Sequence, residues 1–190
     1  MSNPNFDYLR SRFNISEDTF NVLQGLSHRR ILKTGEKTVQ QGGVSTKIHF
    51  LVSGLMRAIV TSETGKQFTK NIYSPISFVA PFSSMLKNEP SLLCYEALTD
   101  CKVFEIDFKE FIELTKTDIR ISNLYNRVLE YLYIVYEQKH LEYISLNATE
   151  RYKILKKRIP NIDNLIAQYH IASYLNITPV QLSRIRKSQK

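Results

Sequence analysis

Cysteine is scarce, long apolar runs are missing, and no sequence signature of a catalytic centre is present. The 190 residues include two cysteines, Cys94 and Cys101. That is too few for a disulfide scaffold or for a zinc or iron–sulfur site held by four thiolates. Each is expected as a buried, reduced thiol. The longest apolar runs, such as Ile48 to Leu51, fall far short of a bilayer crossing. Met1 to Arg12 is polar and charged, without the apolar stretch of a secretory signal. A soluble, cytoplasmic protein with no membrane partner is the expectation. His28, His49, His140 and His170 are scattered without metal-ligand spacing, so neither a metal nor a cofactor is expected. There is no Walker-type loop, no Gly-x-Ser-x-Gly elbow and no motif of paired carboxylates. An enzyme is therefore not expected.

With 43% hydrophobic and 11% aromatic residues, the chain can build a real core. Its net charge of +8 is unevenly placed. From Glu150 to Lys190 nine Lys or Arg face only Glu150 and Asp163, so this segment carries +7 and the rest about +1. A basic end on a nearly neutral body suggests a polyanionic partner at that end.

Ser16, followed by Glu17 and Asp18, reads as a helix entry, with Phe20, Leu23 and Leu26 turned inward. From about Arg30 to Ile106 short apolar runs alternate with turn signals. Ile48 to Val52, Met56 to Val60, Phe68 to Ile72 and Val103 to Ile106 predict strands, with Glu63-Thr64-Gly65-Lys66 as a hairpin tip. Asp107 predicts the cap of a short helix carrying Phe108, Phe111, Ile112 and Leu114. Thr117 to about Leu146 contains neither Gly nor Pro and reads as one long helix. Ile121, Leu124, Val128, Leu132 and Val135 recur along it at three- and four-residue steps, a seam fit for a partner helix and hence a homodimer. The other reading is packing on the chain's own β module, and the two can hold along different faces of the helix. Tyr125, Tyr131, Tyr133 and Tyr136 fall on the same helix.

Ala148 to Arg158 predicts a basic helix, ended by Pro160. Beyond it, Ile171 and Leu175 lie four apart and Leu182 and Ile185 three apart, so two short helices can offer each other an apolar face. Ala172 is small where backbones must approach, and Asn176 tolerates a left-handed turn. Thr178-Pro179 is an N-cap followed by proline at the first helical position. A tight turn between two such helices, with a polar and basic second helix, predicts a helix-turn-helix. Thr178, Pro179, Gln181, Ser183, Arg184, Arg186 and Lys187 are its candidate DNA-binding residues. Lys156, Lys157 and Arg158 join them through phosphates. Gln181 and Arg184 are the expected base readers, since Gln pairs with adenine and Arg with guanine.

In order and spacing, the chain resembles the Crp/Fnr family of bacterial regulators over nearly its whole length. The residues that carry the likeness are Gly35-Glu36, Gln41-Gly42-Gly43, Phe50 to Gly54, Gly65-Lys66, Ala97 to Val103 and the helix-turn-helix. The resemblance implies an α+β fold in three parts. Residues 1–116 would form an antiparallel, jelly-roll-like β-roll of the cyclic-nucleotide-binding type, and 117–146 a long dimerisation helix. Residues 147–190 would form a helix-turn-helix, winged-helix-like with its wing reduced or absent because the chain stops soon after the second helix. It also implies duplex DNA with a near-palindromic operator and RNA polymerase as partners.

Where cyclic-nucleotide binders of that family carry Gly-Glu and Arg-Ser, this chain has Ala80-Pro81 and Ser91-Leu92. A cyclic phosphate would lose its guanidinium, and Pro81 offers no N–H. The implied effector pocket, near Ala80, Pro81, Phe82, Ser91, Leu92 and Tyr136, is thus expected to lack a charge placed for phosphate and to refuse cyclic AMP. Two other readings compete with a transcription regulator. One is a ligand-binding module that acts on a protein partner. The other is a peripheral membrane protein, but the Lys156 to Arg158 helix lacks the bulky apolar face insertion needs.

Overall fold

Asn3 caps α1 (Pro4–Phe13) by accepting from the Asn5 N–H, and Ser16 caps α2 (Glu17–Leu26) by accepting from the Thr19 N–H. The computed structural model describes residues 3–188. The polar N-terminal segment conceals α1, because only Leu9 and Phe13 of that helix are buried. Phe20 and Leu23 of α2 pack beside them in a cluster with Phe50 and Leu124, whereas Leu26 stays outside it.

The strands are β1 (Ser27–Leu32), β2 (Lys37–Val39), β3 (Lys47–Ser53), β4 (Met56–Thr61), β5 (Gln67–Tyr73), β6 (Ser77–Val79), β7 (Cys94–Ala97) and β8 (Cys101–Asp107), with helix α3 (Phe82–Lys87) between β6 and β7. They pair antiparallel in two four-stranded sheets, ordered β1-β8-β3-β6 and β2-β7-β4-β5. Leu32, Leu51, Met56, Ala58, Val79, Tyr95, Cys101 and Val103 fill the space between them. The predicted hairpin tip closes β4 on β5, with the Ser62 N–H donating to the Lys66 carbonyl at 2.9 Å. Gly54 sits at φ 89°, and a Cβ there would lie 2.5 Å from the Asp100 carbonyl oxygen and 2.6 Å from Cys101 Sγ. Only glycine fits this crossing. Both cysteines are buried and unpaired, and burial pushes both thiols up, which suits inert core residues.

Asp107 caps α4 (Phe108–Thr117) and Asp118 caps α5 (Ile119–Ser145). At 27 residues, α5 is about 40 Å long. It breaks from α4 at Asp118 instead of running unbroken from Thr117. Ile121 is fully buried and Leu124 is 5% exposed, while Val128, Leu132 and Val135 face an apolar cavity against the β module. The seam expected to meet a partner helix therefore faces the chain's own sheets. At 100° per residue the opposite face carries Tyr133, Ile134, Leu141 and Ile144, all exposed.

The C-terminal segment folds as α6 (Ala148–Arg158), α7 (Ile162–Leu165), α8 (Gln168–Leu175) and α9 (Pro179–Lys187). Asn147 and Glu150 form a capping box on α6. Among the described residues no strand follows α9. Tyr152, Leu155, Ile162, Ile171, Leu175 and Leu182 make a core that also takes in Leu55, Ile72 and Leu98 of the β module. Helix α8 lies on the edge strand β5. Ser173 Oγ accepts from the Thr69 N–H and hydroxyl, both at 3.0 Å, and donates to the Gln67 carbonyl at 3.3 Å. The edge is thereby covered instead of left open to another chain. Among the described residues no helix is long and apolar enough to cross a membrane.

Candidate nucleic-acid interface and effector cavity

Asn176 turns the chain from α8 to α9 in the left-handed conformation, at φ 55°. Thr178 then starts α9 with a reciprocal cap. Its Oγ1 accepts from the Gln181 N–H at 3.2 Å, and Gln181 Oε1 accepts from the Thr178 N–H at 2.8 Å. Leu182 anchors the helix in the core at 0% exposure, with Ile185 half-buried beside it. That anchor fixes what points outward. Pro179, Val180, Gln181, Ser183, Arg184 and Lys187 are all exposed.

The candidate DNA-binding residues divide into free and engaged groups. Arg184 and Lys187 have no carboxylate partner among the described residues, and neither have Lys156 and Lys157 on α6. Arg186 instead leans inward, its Nε 3.6 Å from Asp163, a carboxylate that also accepts from the Tyr152 hydroxyl at 2.6 Å. Arg158 is paired through both guanidinium nitrogens with Glu142 on α5. Gln181 spends its carbonyl oxygen on the cap and keeps its amide nitrogen free of bonds among the described residues. Val180, 62% exposed, is an apolar side chain on the same outer face. Sequence reasoning passed over it because an isolated valine carries no polar signal.

The six candidate pocket residues do not converge. Ala80, Phe82 and Tyr136 line a cavity of about 940 Å³ between the β module and α5. Pro81 is buried at the N-cap of α3. Ser91 is buried and closes a turn on itself, Oγ donating to the Leu93 carbonyl at 2.7 Å. Leu92 is 77% exposed. Between the sheets, Tyr73 and Tyr95 stand 6.3 Å apart, and burial raises both phenols.

The expectation of an uncharged lining fits the six positions themselves, yet the cavity has a cationic far end. Lys70, Lys139, Arg151 and Arg158 line it, with Glu142 as the carboxylate among them. These cations come from β5, the last turns of α5, and α6, which no local motif joins. Burial first, and then the Arg158 guanidinium, holds the Lys139 ammonium down to about 8. On the buried face of α8, His170 is 9% exposed. Burial and then the Arg57 guanidinium push it down to about 4. Arg57 itself is buried against Glu96, its Nε donating to the carboxylate at 2.6 Å. The described residues hold no cluster of three or more His, Cys, Asp or Glu fit for a metal.

Residues 29–118 match the family model of the cyclic nucleotide-binding domain, a span that ends at the N-cap of α5. No curated protein matches this sequence significantly. Among solved structures, the c-di-GMP-responsive global regulator CLP of Xanthomonas campestris is similar at TM-score 0.69 and 15% identity, covering 92% of this chain and 91% of that one. FixK2 from Bradyrhizobium japonicum gives 0.69 and 17%, over 85% of this chain and 83% of its own. A protein from Eubacterium rectale described as a transcriptional regulator of the Crp/Fnr family gives 0.67 and 14%, over 92% and 83%. At these identities the likeness is one of fold, and it spans both the β module and the helical tail.

Proposed function

We propose that this chain, with a cyclic nucleotide-binding domain at residues 29–118 and the fold of Crp/Fnr regulators, is a homodimeric, sequence-specific DNA-binding transcription regulator. One observation carries the reading. Helix α9 is held from behind by Leu182 in the core, while Val180, Gln181, Ser183, Arg184 and Lys187 stand clear of the protein. A helix so mounted can enter a major groove. Arg184 reads guanine, the Gln181 amide reads adenine, and Val180 packs on a thymine methyl. Lys156, Lys157 and Lys187 contact phosphate, with Arg158 and Arg186 supporting from behind.

Two copies pair through the outward face of α5, where Tyr133, Ile134, Leu141 and Ile144 leave apolar surface in water. Their α9 helices then enter successive major grooves, about 34 Å or roughly 10 bp apart. Cyclic AMP is not the effector. Pro81 and Ser91 are spent on local structure, and Leu92 points to solvent.

A salt titration of binding to duplex DNA tests the reading. Affinity should fall steeply with salt, and Lys156→Ala, Lys157→Ala and Lys187→Ala should each reduce the log–log slope by about 1. A protein that binds no duplex at low salt would overturn the proposal in favour of a module acting on a protein partner.

A further inference from the structure

The cavity along α5 changes character from one end to the other. Phe50, Phe78, Phe104, Leu132, Val135 and Tyr136 make its body apolar and aromatic. Its far end lies where β5, α5, α6 and α8 meet, and there two cations are incompletely satisfied. Lys139 Nζ donates to Asn71 Oδ1 at 2.6 Å but pairs with no carboxylate among the described residues. Arg151 donates through one terminal nitrogen to the Leu175 carbonyl at 3.0 Å and stacks 5.0 Å over the Tyr143 ring, yet its Nε is buried without a hydrogen-bond partner. Glu142 lies among them, but its oxygens accept from Arg158 and neither Lys139 nor Arg151 bonds to it.

A buried donor without an acceptor costs free energy, and a buried cation without its anion costs more. A carboxylate at this end would give Lys139 the counter-charge it lacks, with the Arg151 guanidinium lining the same cavity. The apolar walls and a volume of about 940 Å³ call for a large greasy body behind it, and pockets of this size accept small-molecule ligands. We propose that the cavity binds an amphipathic carboxylate, an alkyl or aryl chain lying along α5 with its anionic head at the cationic end that Lys139 and Arg151 line.

The head would touch the DNA-binding unit directly. Arg151 holds the last carbonyl of α8, and Ser173, Tyr174 and Asn176 line the same end of the cavity. Engaging Arg151 would alter the seat of α8, so the ligand would change DNA affinity. This coupling rests on the DNA-binding reading above, whereas the binding itself does not.

Calorimetry of the full chain with dodecanoate, dodecanol and dodecyltrimethylammonium, all kept below micelle formation, tests the site. Dodecanoate should bind at least about ten-fold more tightly than dodecanol, and the cationic analogue should not bind. Lys139→Gln and Arg151→Gln should each weaken dodecanoate by about ten-fold and leave dodecanol unchanged. Arg151→Lys, which keeps the charge, should retain most of the affinity if the glutamine variant folds poorly. Equal affinity for acid and alcohol would overturn the proposal. So would the absence of binding because a second copy fills the groove, or charge variants that bind as wild type does. Anisotropy on the preferred duplex with and without dodecanoate then reads the coupling. Dodecanoate binding by a chain that binds no DNA would refute the DNA reading and leave the site standing. Dodecanoate binding that leaves DNA affinity unchanged would refute the coupling.

Discussion

Replacing Gln181 by Glu and by Ala separates its capping role from its reading role. Its Oε1 accepts from the Thr178 N–H at 2.8 Å and the Thr178 hydroxyl at 3.1 Å, and its own N–H donates back at 3.2 Å. Glutamate can occupy this box as well as glutamine and adds a charge favoured at a helix N-terminus. Gln181→Glu should therefore melt within a degree or so of wild type. Gln181→Ala loses one half of the box, about 1 kcal/mol, which for a chain of this size lowers Tm by roughly 2–4 °C. On DNA the order reverses. Alanine removes one base contact, about 1–3 kcal/mol or roughly 5- to 150-fold, and relaxes preference at one position per half-site. Glutamate loses more, because its carboxylate donates no hydrogen bond and faces phosphate charge. Thermal denaturation and fluorescence anisotropy on one preferred duplex give both readings. A Gln181→Glu variant that binds like wild type would refute the placement of Gln181 at the base edges.

Three further outcomes follow from the same geometry. Leu141→Glu and Ile144→Glu should give folded monomers in sedimentation velocity, whereas Val128→Glu should chiefly destabilise, since Val128 faces the chain's own cavity; dimers that survive both outward changes would refute that seam. His170 and His49 are both held below their ordinary value, chiefly by burial. The unfolded chain therefore takes up protons first as pH falls, and stability present above about 6.5 is lost toward 4, by up to roughly 3 kcal/mol for His170. Urea midpoints at several pH values would show it, His170→Gln should flatten the slope, and a midpoint unchanged from pH 7 to 5 would refute it. Calorimetry with cyclic AMP should give no tight binding, and a submicromolar Kd would contradict the pocket assignment.

The parts legible in sequence were those whose pattern repeats or whose caps are local. Strands β3, β4, β5 and β8 announce themselves by apolar runs between turns, and Asp107, Ser16 and Thr178 mark helix starts with side chains that bond two or three residues on. Edge strand β1 was not legible, because in Ser-His-Arg-Arg-Ile-Leu only Leu32 is buried and the alternation disappears. Helix α1 was hidden likewise, with two buried residues in a polar stretch. On α5 the stripe lies where the period puts it, and within this chain it faces the β module. Periodicity finds an apolar stripe, but it cannot say whether the chain's own sheet or a second copy covers it. The pocket showed the same limit: Ala80 and Phe82 lie on the cavity while Ser91 and Leu92 do not. Lys139 and Arg151 come to one cavity only through the fold.

Selection of duplex DNA from a random pool by the full chain tests the central claim most directly. The account predicts a near-palindrome with half-sites about 10 bp apart. Arg184→Ala should relax one position within each half, and Lys157→Ala should leave the motif intact while weakening every sequence alike. A pool that yields no enriched motif, or one that Lys157→Ala rewrites while Arg184→Ala leaves it untouched, would contradict the assignment of α9 to the groove.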